Sequence, residues 1–225
     1  MSFTLLEYPD REILAMDLAN QLAGDLRAAL AQGDRVAFAV PGGTSPGPVF
    51  DDLCAVDIAW SRVDVLLTDE RWVPDDSARS NTRLLRERLL VEKAAAAQLL
   101  PMYLPCKEPE ERIDELAEML RPSLPLDVVL LGMGADMHTA SIFPGADLLV
   151  QALAPGAPLL LPMRAPGAPE PRVTLSAEVL NGAMRKHVLI YGQEKRDALE
   201  RSKILTPLEA PIGAVLDGAI VHWAE

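Results

Sequence analysis

Apolar residues along this chain alternate between two patterns. Short, wholly apolar runs are separated by longer segments in which apolar positions recur every three or four residues. The first pattern is expected of strands buried on both faces, the second of helices that cover them. Asp10 can cap a helix from about Arg11 to Gln32, with Gly33 as its stop. Arg35–Val40 reads as a buried strand, Pro41–Pro46 as a turn, and Pro46 can open a helix towards Cys54. A strand Val63–Leu67 ends in Thr68-Asp-Glu-Arg71, helices follow over Asn81–Lys93 and Glu108–Leu120, and Asp127–Leu131 is a third strand. Residues from about 146 to 171 are rich in Pro and Gly, which predicts a surface excursion with at most one strand, Pro158–Met163. Arg172–Ser176 leads into a short helix ending near Asn181-Gly182, and a strand His187–Tyr191 precedes a helix Glu194–Ile204. Ile212–Leu216 and Ala219–Trp223 read as closing strands around an Asp217-Gly218 turn. The alternation predicts one α/β domain over residues 1–225, a mainly parallel sheet between helices.

Composition narrows this picture. The chain has 225 residues, 49% hydrophobic and 24% charged, which is ordinary for a soluble globular domain. A net charge of −12 argues against nucleic acid and anionic membranes as partners. An anionic small molecule would need a local basic pocket. The two cysteines, Cys54 and Cys106, have no metal-ligand spacing, and read as reduced thiols in a cytoplasmic protein. The N-terminal segment does not have the pattern of a signal peptide, and no apolar run approaches the ~20 residues that span a bilayer.

Four unusual segments fall at strand ends, where open α/β sheets bind ligands. In Pro41-Gly-Gly-Thr-Ser45, Gly42 and Gly43 let the backbone approach a ligand, and helix-start N–H groups with Thr44 and Ser45 can hold phosphate; a plain strand-to-helix turn is an equal alternative. Thr68-Asp-Glu-Arg71, with Ser80-Asn81 beyond it, sets Asp69 and Glu70 beside Arg71, to orient a polar ligand or to form a surface ion-pair cluster. Leu131-Gly-Met-Gly-Ala-Asp136-Met-His138 places a lone imidazole near a carboxylate: Asp136 can hold one tautomer while His138 acts as a base. With Gly132 and Gly134 beside it, function outweighs a satisfied structural histidine. Thr139 and Ser141 would then begin a short helix facing the site. Gly192-Gln-Glu-Lys195 offers a cation, as does Arg172, though each alone reads equally as a solvated surface charge. His187 and His222 sit in strands and read as structural. No clustered metal-ligand set and no GxSxG elbow occurs, so neither a metal nor serine hydrolysis is expected.

Together these segments resemble the 6-phosphogluconolactonase family, within the larger group that includes glucosamine-6-phosphate deaminase and ribose-5-phosphate isomerase. The resemblance rests on Val40–Ser45, Thr68–Pro74 with Ser80-Asn81, Leu131–Asp136 with His138–Ser141 and Phe143-Pro-Gly145, and Arg172–Leu175. The His-Thr-Ala-Ser-Ile-Phe-Pro form resembles the lactonase branch and has no extra carboxylate of the deaminase type. The resemblance implies a three-layer α/β/α, Rossmann-like fold, no cofactor, and hydrolysis of 6-phospho-D-glucono-1,5-lactone in the oxidative pentose phosphate pathway. It implies His138 as general base, Asp136 as its orienter, and a phosphate and sugar site formed by Gly42, Gly43, Thr44, Ser45, Asp69, Arg71, Arg172 and Lys195. A monomer or small homo-oligomer is expected. An isomerase or deaminase with Asp69 or Glu70 as base, and a non-catalytic sugar-phosphate sensor, are the alternatives. Met137 stands where the family usually has Gly; if that position needs positive φ, Met137 carries strain or diverts the loop.

Overall fold

The computed structural model describes residues 2–225. Strand β1 (Thr4–Glu7) leads into helix α1 (Arg11–Leu30), then β2 (Val36–Val40), α2 (Gly47–Leu53) and β3 (Val63–Leu67). Next come β4 (Asp69–Arg71), α3 (Asn81–Arg88), β5 (Gln98–Leu99), α4 (Ile113–Leu120) and β6 (Val128–Gly132). The chain closes with α5 (Leu149–Leu153), β7 (Leu160–Met163), β8 (Arg172–Leu175), α6 (Ala177–Asn181), β9 (Arg185–Tyr191), α7 (Gln193–Ser202) and β10 (Ile220–Ala224). Helix α1 starts where Asp10 Oδ1 accepts the Ile13 N–H at 2.8 Å. It buries Leu14, Leu18, Leu22 and Leu26, one stripe at four-residue spacing. The strands β2 and β3 are buried at every position; β2 is wholly apolar, and β3 is apolar except for Asp64, whose carboxylate pairs with Arg35.

Seven strands form one parallel sheet in the order β1-β10-β9-β6-β2-β3-β5, flanked by helices. The connections out of β1, β2 and β3 advance towards the β5 edge, and those out of β5, β6 and β9 run back. Right-handed crossovers therefore put the early helices on one face and the late ones on the other. The direction reverses between the neighbours β2 and β6. That reversal opens a crevice at the carboxyl ends of these two strands, where the loops 41–46 and 133–138 begin.

Three readings from the sequence are corrected. Thr68–Arg71 is more than the end of β3: β4 pairs antiparallel with β8, and β8 with β7, in a second, three-stranded sheet. The segment 146–171 also holds a helix, α5, besides its strand β7, whose Leu160, Leu161 and Met163 are buried. Ile212–Leu216 is no strand. Pro211–Ala214 forms a 3₁₀ turn, because Pro211 lacks a ladder donor and the Ile212 N–H goes to Met137 O at 3.0 Å. The closing hairpin is thus absent, and β10 lies between β1 and β9, parallel to both. Four-residue β1 was not legible, being half-exposed without clean alternation.

Candidate active site

The crevice at the strand reversal is a cleft of about 290 Å³. The loop after β2 brings Gly42, Gly43, Thr44 and Ser45 to its wall, β4 brings Asp69 and Arg71, and β8 brings Arg172. The loop after β6 brings Gly134 and His138, and α7 brings Lys195. Every expected site residue therefore lines one cavity except Asp136, which stands behind His138. Helix α2 spans only seven residues, so an anion at Gly42–Ser45 would be held by loop N–H groups and neighbouring cations more than by a helix dipole.

His138 is held from two sides. Its Nδ1 lies 2.5 Å from Asp136 Oδ1, which also accepts the His138 backbone N–H at 3.2 Å. This hydrogen bond draws the Asp136 carboxyl below its ordinary range. With Nδ1 donating to Asp136, Nε2 is the nitrogen left to accept a proton. The ring packs on Phe143, with centroids 4.3 Å apart. Gly134 is needed for this arrangement: a Cβ there would stand 2.3 Å from His138 Nδ1 and 2.5 Å from Asp136 Oδ1.

The cation pair has its own geometry. Arg71 and Arg172 are direct partners in the β4–β8 register. Like charges placed opposite one another destabilise a sheet. Arg172 is largely buried, with Nη1 3.9 Å from Asp69 Oδ2 and its guanidinium carbon 5.8 Å from the Phe143 ring centre. Burial pushes its pKa down, and the charge on Asp69 opposes that shift. The Nε atoms of both arginines are buried without a hydrogen-bond partner. Lys195 is also lowered by burial, against the raising charges of Glu194 and Asp136. On a chain of net charge −12, the cleft gathers Arg71, Arg172 and Lys195 against Asp69 alone among its lining charges.

The carboxylates of β4 have different surroundings. Glu70 is fully buried and accepts from the backbone N–H groups of Arg71, Asn81 and Thr82, each at 2.8 Å, and from Ser80 Oγ at 3.0 Å. It fastens the start of α3 beneath the cleft and does not line it. Asp69 accepts from Ser141 Oγ at 2.5 Å, which joins the β4 segment to the His138 loop. The expected helix from Thr139 is absent: residues 139–142 make a tight turn, with Ile142 N–H donating to Thr139 O at 3.0 Å. Thr139 instead turns its hydroxyl to Gly132 O at 2.9 Å, which ties the loop to the end of β6.

A profile described as "Glucosamine-6-phosphate isomerases/6-phosphogluconolactonase" matches residues 9–223. The chain belongs to this family. It is similar to the 6-phosphogluconolactonase of Mesorhizobium japonicum, 42% identical over 99% of this chain and 96% of that one. It is also similar to that of Pseudomonas aeruginosa, 40% identical over 93% and 90%. Among solved structures, a 6-phosphogluconolactonase from Shewanella baltica superposes with a TM-score of 0.96 at 31% identity, covering 100% of this chain and 98% of that one.

Met137 takes φ 66°, so the loop keeps its left-handed turn with a side chain at that position. Its N–H donates to Gly134 O at 2.9 Å and its carbonyl accepts from Ile212, so the backbone is fixed at both ends. The Met137 side chain packs half-buried against the core and does not line the cleft. Asn81 and Phe143 do line it, and sequence reasoning named neither as a site residue. Asn81 had a signal in the Ser80-Asn81 pair: a Cβ at Gly42 would lie 2.0 Å from its side chain, so the glycine loop and α3 touch there. Phe143 had only its place in the Phe-Pro-Gly stretch.

Proposed function

We propose that this chain hydrolyses 6-phospho-D-glucono-1,5-lactone to 6-phospho-D-gluconate, the lactonase step of the oxidative pentose phosphate pathway, with His138 as general base. The carrying observation is the single cleft that sets an aspartate-held imidazole across from three cations. The kinship to 6-phosphogluconolactonases supports the substrate.

The phosphate docks on the Gly42–Ser45 loop, Arg71 and Arg172, with Lys195 completing the basic wall; Asp69 positions Arg172 and accepts from the sugar. The lactone carbonyl then lies by His138. Neutral His138 takes a proton at Nε2 from water as the water oxygen bonds to the carbonyl carbon. Asp136 holds the tautomer and balances the imidazolium. Cations and N–H groups of the cleft stabilise the tetrahedral oxyanion. Collapse breaks the bond from that carbon to the ring oxygen, and His138 returns the proton to the departing oxygen. The new carboxylic acid ionises to solvent. No cofactor takes part in this scheme.

The isomerase or deaminase alternative needs a carboxylate base in the cleft. Glu70 is unsuited, since its oxygens are occupied by four donors away from the cavity; Asp69 does line the cleft, accepting from Ser141 Oγ at 2.5 Å beside Arg172, and is the base that reading would use. The proposal carries with it a cytoplasmic setting and a phosphosugar lactone as the small-molecule partner; no helix among the described residues is long and apolar enough to cross a membrane. The test is to supply the purified chain with the lactone, against an enzyme-free blank, and separately with glucosamine 6-phosphate. Acid release from the lactone above the blank supports the proposal. Ammonia release from the amino sugar with none from the lactone contradicts it.

A further inference from the structure

A second polar assembly lies away from the cleft, between α1 and the sheet, with its two imidazoles buried and Tyr8, Asp17, Gln21 and Asp25 half-buried around them. Asp25 Oδ2 lies 2.8 Å from His187 Nε2, and His187 Nδ1 lies 3.0 Å from His222 Nε2. His222 Nδ1 lies 2.9 Å from the Tyr8 hydroxyl, which lies 2.7 Å from Asp17 Oδ2. Gln21 donates to Asp17 Oδ2 at 2.7 Å, and Arg185 Nε stands 3.5 Å from Asp25 Oδ1. Both imidazoles are buried. Helix α1 supplies Asp17, Gln21 and Asp25 at four-residue spacing, one face of the helix. Strand β9 supplies His187, β10 supplies His222, and Tyr8 follows β1.

Four contacts in series are each short enough to require a hydrogen between their atoms. With both aspartates ionised, two neutral histidines and one tyrosine bring only three. One contact would then oppose two lone pairs in a place wholly or partly closed to water, at a cost towards that of an unsatisfied polar group. We propose that the chain from Asp25 to Asp17 holds one proton more than its neutral members supply, lodged on the His187–His222 pair, and that this proton latches α1 to the sheet.

One arrangement fills every contact. His187 carries hydrogens on both nitrogens and donates to Asp25 and to His222. His222 is neutral, accepts at Nε2 and donates from Nδ1 to the Tyr8 oxygen. The Tyr8 hydroxyl donates to Asp17. Two further features agree with it. Burial, with the charge of His187 adding to it, pushes His222 down to about 3, so it stays neutral. Burial and the bond to Asp17 push the Tyr8 hydroxyl up, so it keeps its proton. An unfolded histidine is neutral at pH 8, since its ordinary pKa is about 6.5. The folded chain then binds more protons than the unfolded one, and the latch loses its contribution to stability as pH rises.

The test is ¹⁵N NMR of the histidine rings in the wild-type protein at pH 8. The expected result is His187 protonated on both nitrogens and His222 as the neutral Nδ1–H form. Two neutral rings would overturn the proposal. Calorimetric unfolding at pH 8, in buffers of different ionisation enthalpy, gives a second reading. Wild type should release about one proton more than Asp25→Asn, which keeps an oxygen for His187 but removes the charge. Equal release would also overturn it. If Asp25→Asn does not fold, the wild-type spectrum decides alone.

Discussion

Arg71 and Arg172 face each other directly across the β4–β8 pairing, and neither has a hydrogen-bond partner for its buried Nε. Two like charges in this register cost stability until an anion sits between them. Inorganic phosphate should therefore stabilise the protein, by about 2.7 kcal/mol at roughly 100 times its dissociation constant. Arg71→Ala should lose most of that gain and raise KM for the lactone about 10- to 100-fold with kcat little changed. Thermal unfolding with and without phosphate, alongside steady-state kinetics, measures both; an equal phosphate shift in the variant places the anion elsewhere.

Gly134 shares its space with the Asp136–His138 pair. Gly134→Ala should leave the fold intact, because the atoms in the way are side-chain tips that can move. Moving them displaces His138 from Asp136. A displacement near 1 Å can cost about 10²-fold in rate. The expected outcome is a native-like melting curve with kcat reduced by one to two orders of magnitude (roughly, on that basis). Wild-type turnover would mean that the ring position is not critical.

Met137 offers the converse case. A non-glycine residue in the left-handed region costs roughly 1–2 kcal/mol. The backbone bonds to Gly134 and from Ile212 hold it there, and the half-buried side chain adds packing. Met137→Gly should relieve strain, lose that packing and loosen the unfolded chain, so stability and kcat should both change little, with rates within about twofold. A several-fold faster variant would show that Met137 keeps His138 away from its working position.

With Lys195 on the basic wall of the proposed phosphate site, it should set the alkaline limit of ligand binding. Burial holds its pKa below the ordinary lysine value, so it loses charge at a lower pH than an exposed lysine does. Affinity for 6-phosphogluconate, measured by calorimetry, should weaken on the alkaline side before the ordinary lysine range near 10.4 is reached. Lys195→Arg should keep its charge and move that weakening upward. Identical pH profiles would show that Lys195 does not touch the ligand.

Much of this was legible in the residues. Apolar runs marked β2, β3 and β6, and the glycine-rich breaks after β2 and β6 marked the two loops that meet where the strand order reverses. The β4–β8 sheet was hidden, because three- and four-residue strands leave too little pattern, and the facing of Arg71 and Arg172 depends wholly on that pairing. Ile212–Leu216 misled for the opposite reason: its apolar residues are buried, but by packing of a 3₁₀ turn, and periodicity does not separate the two. Asn81 gains its place through its contact with Gly42, and Phe143 through the Arg172 guanidinium over its ring, both distant in sequence.

The most direct test of the account is the turnover of His138→Ala on 6-phosphogluconolactone, corrected for spontaneous opening. General-base catalysis predicts kcat lower by about 10²–10⁴-fold, with KM within about threefold of wild type. A variant that hydrolyses the lactone at the wild-type rate would contradict the role of His138 and, with it, the mechanism built on the Asp136–His138 pair.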